Sequence, residues 1–182
     1  MGPLITRRIQ VAFAGCPNVG KSTLFNALTG MRQHTGNWPG KTVGMAQGRH
    51  RRGNTELVIT DLPGTYSLQG ASQDEQVAAR YIAREDWDCV VVVCDASCLE
   101  RSLILALQVL EKAKRAVVCL NLMDEAKRRG IWVNRRSLSQ QLGTPVVCTA
   151  GDNRQGLEEL TEAICTAASQ PERDPLPRWE NP

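Results

Sequence analysis

The chain predicts an α/β fold, a six-stranded and mostly parallel sheet with one antiparallel edge strand and helices on both faces. Three observations carry this. Short β-branched runs alternate with stretches of helical periodicity along almost all of the 182 residues. One run, Cys89-Val90-Val91-Val92-Val93-Cys94, lacks any polar alternation, as a central strand buried on both sides requires. Finally, Gly15-Cys16-Pro17-Asn18-Val19-Gly20-Lys21-Ser22 fits the pattern G-x-x-x-x-G-K-[ST], with an apolar run before it and a helical stretch after it.

Taken in order, the first strand is expected at 9–14 and the first helix at 21–30. Strands at 44–51 and 55–60 flank Gly53-Asn54, a two-residue turn signal, so they form an antiparallel hairpin at the sheet edge. The basic cluster Arg49-His50-Arg51-Arg52 then reads as a solvated strand end. A helix at 73–84 leads to the central strand at 89–94. The next helix, 98–113, is expected to open with the capping box Ser97-x-x-Glu100 and to bury Leu99, Leu103, Leu107 and Leu110. A strand at 115–121, helices at 123–129 and 135–142, a strand at 144–148 and a helix at 156–168 complete the order. Residues 1–8 read as an N-terminal extension and 9–168 as one nucleotide-binding domain. The proline-rich tail 169–182 reads as a linker or the truncated start of a following helical segment.

Composition narrows the function. A net charge of +3 is too small to argue for nucleic acid. Seven cysteines, an odd number without paired C-x-x-C spacing, make neither a disulfide framework nor a zinc site and suit a reducing compartment. The longest unbroken apolar stretch, 89–94, falls far short of the ~20 residues a membrane span needs, so this polypeptide is expected to be soluble.

The candidate site is built from motifs at strand ends. In the phosphate loop Gly15–Ser22, glycines turn successive N–H groups into one concavity and the new helix adds its positive end. Lys21 would reach the β- and γ-phosphates, Ser22 would ligate Mg²⁺, and Thr23 continues the nucleotide-binding stretch. Some forty residues on, Leu57-Val58-Ile59-Thr60 ends in Asp61-Leu62-Pro63-Gly64. Asp61 is placed to hold a water on Mg²⁺, and the Gly64 N–H to sense a γ-phosphate. The strand Ala116-Val117-Val118-Cys119-Leu120 ends in Asn121-Leu122-Met123-Asp124. A carboxylate there accepts N1–H and the exocyclic amine of guanine, and adenine offers no matching donors. Asn121 would brace the neighbouring loop. The last strand runs into Thr149-Ala150-Gly151, where Ala150-Gly151 would offer a backbone N–H to guanine O6 without a bracing serine hydroxyl. The segment 33–44 is loop-like, and its Thr42 would complete Mg²⁺ coordination when GTP is bound. In that order the motifs describe a P-loop GTPase of Ras-like fold.

Gly36-Asn37-Trp38-Pro39-Gly40, Asp61-Leu62-Pro63-Gly64-Thr65-Tyr66-Ser67-Leu68, Asp74-Glu75-Gln76-Val77-Ala78 and Asp95-Ala96-Ser97-Cys98-Leu99-Glu100-Arg101-Ser102-Leu103 go further. They resemble the N-terminal G domain of the bacterial ferrous-iron transporter B (FeoB) family, over about residues 9–168. The resemblance implies a cytosolic GTPase module on the cytoplasmic face of the inner membrane. Its implied partners are guanine nucleotide and a membrane domain of the same polypeptide that imports Fe²⁺, with self-association left open. It also implies that Asn18 holds an activating K⁺ against the phosphates, where another GTPase would use an arginine. Cys16 stands where the family usually has Asn, Lys41 and Gly44 where Val and Glu are usual, and Ser102 and Ile104 where Asn and Tyr are commoner. No phosphate or magnesium ligand is lost. Lys21, Thr42, Gly64 and Asn18 are thus the expected catalytic set. Thr65 follows Asp-x-x-Gly where many GTPases carry a water-orienting glutamine, which predicts slow hydrolysis. Two other readings compete. An RNA- or ribosome-assembly GTPase shares the Asn18 chemistry but wants a basic stripe that the chain lacks. A P-loop ATPase or kinase fails at Asn121-x-x-Asp124. Iron leaves no ligand cluster in the sequence, His34 and His50 being isolated.

Overall fold

The computed structural model describes residues 5–31, 45–84, 86–150, 154–174 and 176. Strands β1 (Arg7–Gly15), β2 (Ala46–Arg52), β3 (Thr55–Asp61), β4 (Cys89–Asp95), β5 (Ala116–Asn121) and β6 (Val146–Cys148) form one sheet. Their spatial order is β2-β3-β1-β4-β5-β6. Only β2–β3 is antiparallel, and its register closes Arg52 onto Thr55 across Gly53-Asn54. Helices α1 (Lys21–Thr29), α2 (Gln73–Ile82), α3 (Leu99–Lys112), α4 (Met123–Arg128), α5 (Arg135–Leu142) and α6 (Leu157–Ala167) follow their strands in sequence. The chain leaves β1 in one direction and, after β3, returns past it in the other. Right-handed crossovers then put α1 on one face and α2 and α3 on the opposite one.

Burial follows the apolar runs. All of Cys89–Cys94 and all of β5 are buried, with Phe13, Phe25, Leu57, Ile59, Leu105 and Leu120 among the fully enclosed side chains. The edge strand β2 instead exposes Gln47, Arg49, Arg51 and Arg52, and charge on a free edge discourages further strand pairing. The His50 ring turns inward and its Nδ1–H donates to Leu28 O at 2.8 Å.

Several element details differ from expectation. β1 starts at Arg7, so two residues of the expected extension belong to the sheet; Arg7 and Arg8 register with Thr55 and Glu56, and Arg8 pairs with Glu56 at 2.9 Å. The Ser97–Glu100 capping box does not form. Asp95 accepts from both the Ser97 N–H and its hydroxyl, at 2.8 and 2.7 Å, which winds 96–98 into a short 3-10 turn. Accordingly α3 buries Ser102, Leu105, Ala106, Val109 and Leu110, while Leu99, Leu103 and Leu107 are only partly covered. Small Ser102 and Ala106 let the helix approach the sheet, and the Ser102 hydroxyl accepts from Asp95 N at 3.0 Å. β6 is shorter than 144–148 because Pro145 has no N–H to give, and the Thr144 hydroxyl donates to Ala116 O instead. The start of β2 expected at 44 lies outside the described residues.

The tail also departs from a free linker. Arg173 N donates to Lys114 O at 2.9 Å, and its guanidinium donates to Leu110 O and, at 3.2 Å, to Leu142 O. A cation is thereby set on the carbonyl ends of α3 and α5. Burial lowers the pKa of Arg173 and leaves its Nε without a partner. Arg115 and Lys114 bind Gln170 O and Glu172 alongside.

Candidate functional site

The parallel strands deliver their C-terminal ends to one rim. Gly15 registers with Val93, Phe13 with Asp61, and Asp95 with Asn121, so the phosphate loop, the Asp-x-x-Gly turn and the Asn-x-x-Asp turn become neighbours. Gly20 makes the hinge into α1. Its φ is 80°, and a Cβ there would lie 2.3 Å from Asn121 Nδ2, so both the left-handed turn and the close approach need glycine. Gly20 is also the N-cap of α1 and offers no capping side chain, and the first turn carries no acid. Its leading N–H groups are left for an anion.

Lys21 is buried, and its ammonium donates to Asp61 Oδ1 and, at 2.6 Å, to Leu62 O. The Ser22 hydroxyl donates to Asp61 Oδ2 at 3.3 Å. The ammonium thus rests between a carboxylate and a carbonyl from the end of β3. Two hard oxygen groups, Ser22 and Asp61, face each other beside it and suit a divalent cation such as Mg²⁺, directly or through water. Asn18 stands exposed at φ 64° on the crest of the loop, with a neutral amide oxygen of the kind a monovalent cation takes. Cys16 and Val19 are buried, Pro17 is half-buried and Thr23 is exposed. Burial pushes the Cys16 thiol up, and Arg101 partly offsets this.

Gly64 packs on Pro17, where an added Cβ would meet Pro17 Cα at 3.2 Å, and Thr65 N donates to Gly15 O at 3.1 Å. The turn expected to sense a γ-phosphate therefore lies on the phosphate loop. Thr65 is buried and its hydroxyl donates to Ser67 O at 2.8 Å.

At the other end, fully buried Asn121 uses both halves of its amide. Nδ2 donates to Val19 O at 2.9 Å, and Oδ1 accepts from the Thr149 hydroxyl at 2.9 Å. Met123 N donates to Thr149 O at 3.2 Å. The brace expected of a serine hydroxyl is thus provided one residue earlier by Thr149, a role that the motif did not announce. Ala150 is buried and its N–H donates to Gln155 O at 3.3 Å. The Asp124 side chain is 36% exposed and pairs with Arg128, one turn on, at 3.1 Å. Short α4 starts at the rim and presents the acid outward. Thr42, Gly151, His34 and the rest of 33–44 lie outside the described residues.

Among the described residues no three His, Cys, Asp or Glu side chains gather as a metal site, and no helix is long and apolar enough to cross a membrane. A concavity of about 550 Å³ lies between the 96–100 turn and residues 131–141 and does not touch the phosphate loop.

Comparison with known proteins agrees with the fold. The family model described as ferrous iron transport protein B matches residues 9–164. The Fe(2+) transporter FeoB of Escherichia coli (strain K12) is 42% identical over 162 residues, which are 87% of this chain and 21% of that protein. The chain therefore spans about a fifth of the length of the curated relatives it matches. The G domain of the T. maritima FeoB iron transporter is 44% identical with a TM-score of 0.80, over 89% of this chain and 99% of that one. The cytosolic domain of the same transporter in its GMPPNP form is 43% identical with a TM-score of 0.85, over 94% and 69% of the two chains.

Proposed function

The chain belongs to the ferrous iron transport protein B family, and from that premise we propose that it is the GTP-binding, slowly GTP-hydrolysing module of a transporter importing Fe²⁺. The observation that carries the proposal is Asn121, whose amide ties the phosphate loop at Val19 to the base-side loop at Thr149. A nucleotide spanning that rim meets phosphate donors at one end and Asp124 at the other.

On binding, Lys21 exchanges Asp61 and Leu62 O for phosphate oxygens, and the N–H groups of Gly15–Thr23 close around them. Ser22 and Thr42 would hold Mg²⁺ directly and Asp61 through water; bound there, the ion neutralises charge on the β- and γ-oxygens. Asn18 would hold K⁺. Gly64 donates to the γ-phosphate, and the segments 33–44 and 62–75 report whether it is present. Asp124 leaves Arg128 to accept two donors of guanine, while backbone at Ala150-Gly151 meets O6. With the Thr65 hydroxyl engaged by Ser67 O, no side chain at that position orients the attacking water, and in-line hydrolysis is slow. A membrane domain like that of the full-length relatives would carry the iron, and this module would lie on its cytoplasmic side. The match over 9–164 leaves the ribosome-assembly reading without support.

Displacement of a fluorescent GDP tests the proposal. GDP and GTP should compete and ATP should not, and turnover should be faster in K⁺ than in Na⁺. Equal competition by ATP would refute the guanine assignment.

A further inference from the structure

A buried thiol stands behind the tie that Asn121 makes between the two loops. Cys119 lies two residues before Asn121 on the same face of β5, and its Sγ is 3.2 Å from the Thr149 hydroxyl oxygen. The other strand thiols make longer approaches, Cys89 Sγ to Val90 O at 3.9 Å and Cys94 Sγ to Ser102 O at 4.0 Å. Counting hydrogens gives the short contact its direction. Turned over, the Asn121 amide would set Oδ1 against Val19 O, acceptor to acceptor at 2.9 Å. With Nδ2 on Val19 O, Oδ1 faces the Thr149 hydroxyl, whose single hydrogen must point there. Thr149 is closed to solvent, and the donor facing its remaining lone pair among the described residues is the Cys119 S–H. Burial pushes that thiol up to about 12, so its hydrogen is in place at neutral pH. The hydrogens therefore run one way, from Cys119 through Thr149 to Asn121 and on to the phosphate loop at Val19.

We infer that Cys119 is a positioning residue for guanine-nucleotide binding: its S–H directs the Thr149 hydroxyl onto Asn121 and so holds the Asn121 amide on the phosphate loop. The inference rests on the guanine-nucleotide reading above. A hydroxyl turned instead to the sulfur would leave Oδ1 without its donor and free the amide to turn over against Val19 O. The thiol touches no nucleotide and acts on how the phosphate loop and the Thr149-Ala150 loop are held together. Its loss therefore weakens diphosphate and triphosphate alike.

Two measurements test this. Raman spectra of wild-type protein, after exchange in D2O has cleared the accessible thiols, should show one S–H stretch set below the others. Cys119→Val should remove that component, and Thr149→Val should move it up. Titration with fluorescent nucleotides should show Cys119→Val weakening GDP and GMPPNP together by about two- to fivefold, the worth of one weak buried hydrogen bond. Cys119→Ser restores a donor and should recover most of the loss. Added to Thr149→Val, Cys119→Val should cost nothing further, because the thiol acts through that hydroxyl. A packing role alone would make the serine and valine variants equally weak, or lower the melting temperature and leave affinity unchanged. Either result, an additive double variant, or no low-lying stretch in wild-type protein overturns the inference while leaving the site intact. The last needs no variant to fold. Wild-type protein that binds neither nucleotide overturns the site reading and the inferred role with it.

Discussion

Lys21 and Asp61 have side chains that are each 8% exposed, and the ammonium also holds Leu62 O. Replacing the lysine by methionine in nucleotide-free protein strands a buried carboxylate with Ser22 as its remaining side-chain donor. The expected cost is about 3–5 kcal/mol in urea unfolding, with Lys21→Met/Asp61→Leu recovering most of it. A loss confined to nucleotide affinity, with stability unchanged, would mean that the pair is incidental. Lys21, Asp61 and Asn121 could be read from the chain because fixed spacing after strands ties residue type to position. Leu62 O and Val19 O could not, since a carbonyl is common to every residue and no letter announces it. Asp124 falls at the turn where the motif spacing puts it, and its ion pair with Arg128, one helical turn on, is a contact that the motif does not announce.

The entry to α6 shows how an element controls the loop before it. Gly156 caps the helix at φ 82°, and a Cβ there would fall 2.1 Å from Cys148 O, a backbone atom of β6. Gly156→Ala should therefore cost at least about 2 kcal/mol in thermal or urea unfolding. It should also weaken GDP by pushing the Thr149-Ala150 loop off Asn121; a variant with wild-type stability would count against the cap. Periodicity located all six α-helices of the described residues, but α3 was assigned the wrong stripe. The leucines at 99, 103 and 107 gave the stronger apolar signal, and yet Ser102 and Ala106 won the sheet-facing positions. Size decided it, because a small residue permits the closer approach. The missing capping box has a similar origin. Asp95, at the strand end, reaches Ser97 first and removes the hydroxyl from competition.

At the level of the whole molecule, the mostly parallel sheet and its antiparallel edge followed from alternation and the Gly53-Asn54 turn, whereas the strand order depends on packing between elements that no local pattern encodes. The cysteines complete that picture. Burial raises the Cys89 and Cys119 thiols to about 12 and pushes Cys94 up as well. The folded state thus holds those protons more tightly than the unfolded chain, whose thiols release them near 9. Stability from this source is complete below pH 9 and is lost as pH rises towards 12, at roughly 1 kcal/mol per pH unit for each thiol. Urea melts at pH 8 and pH 10 should show the fall, and Cys89→Ala/Cys94→Ala/Cys119→Ala should flatten it after allowance for its lower baseline. Native protein should expose Cys98 first to a thiol reagent.

The Arg173 guanidinium, which bridges the ends of α3 and α5, sits where β5 and β6 begin, while the phosphate loop occupies the far tips of the strands. A dye, a tether or an added module joined past residue 174 consequently pulls on the foot of the sheet. That end can serve as a grip for immobilising the protein, with the working face left pointing into solution.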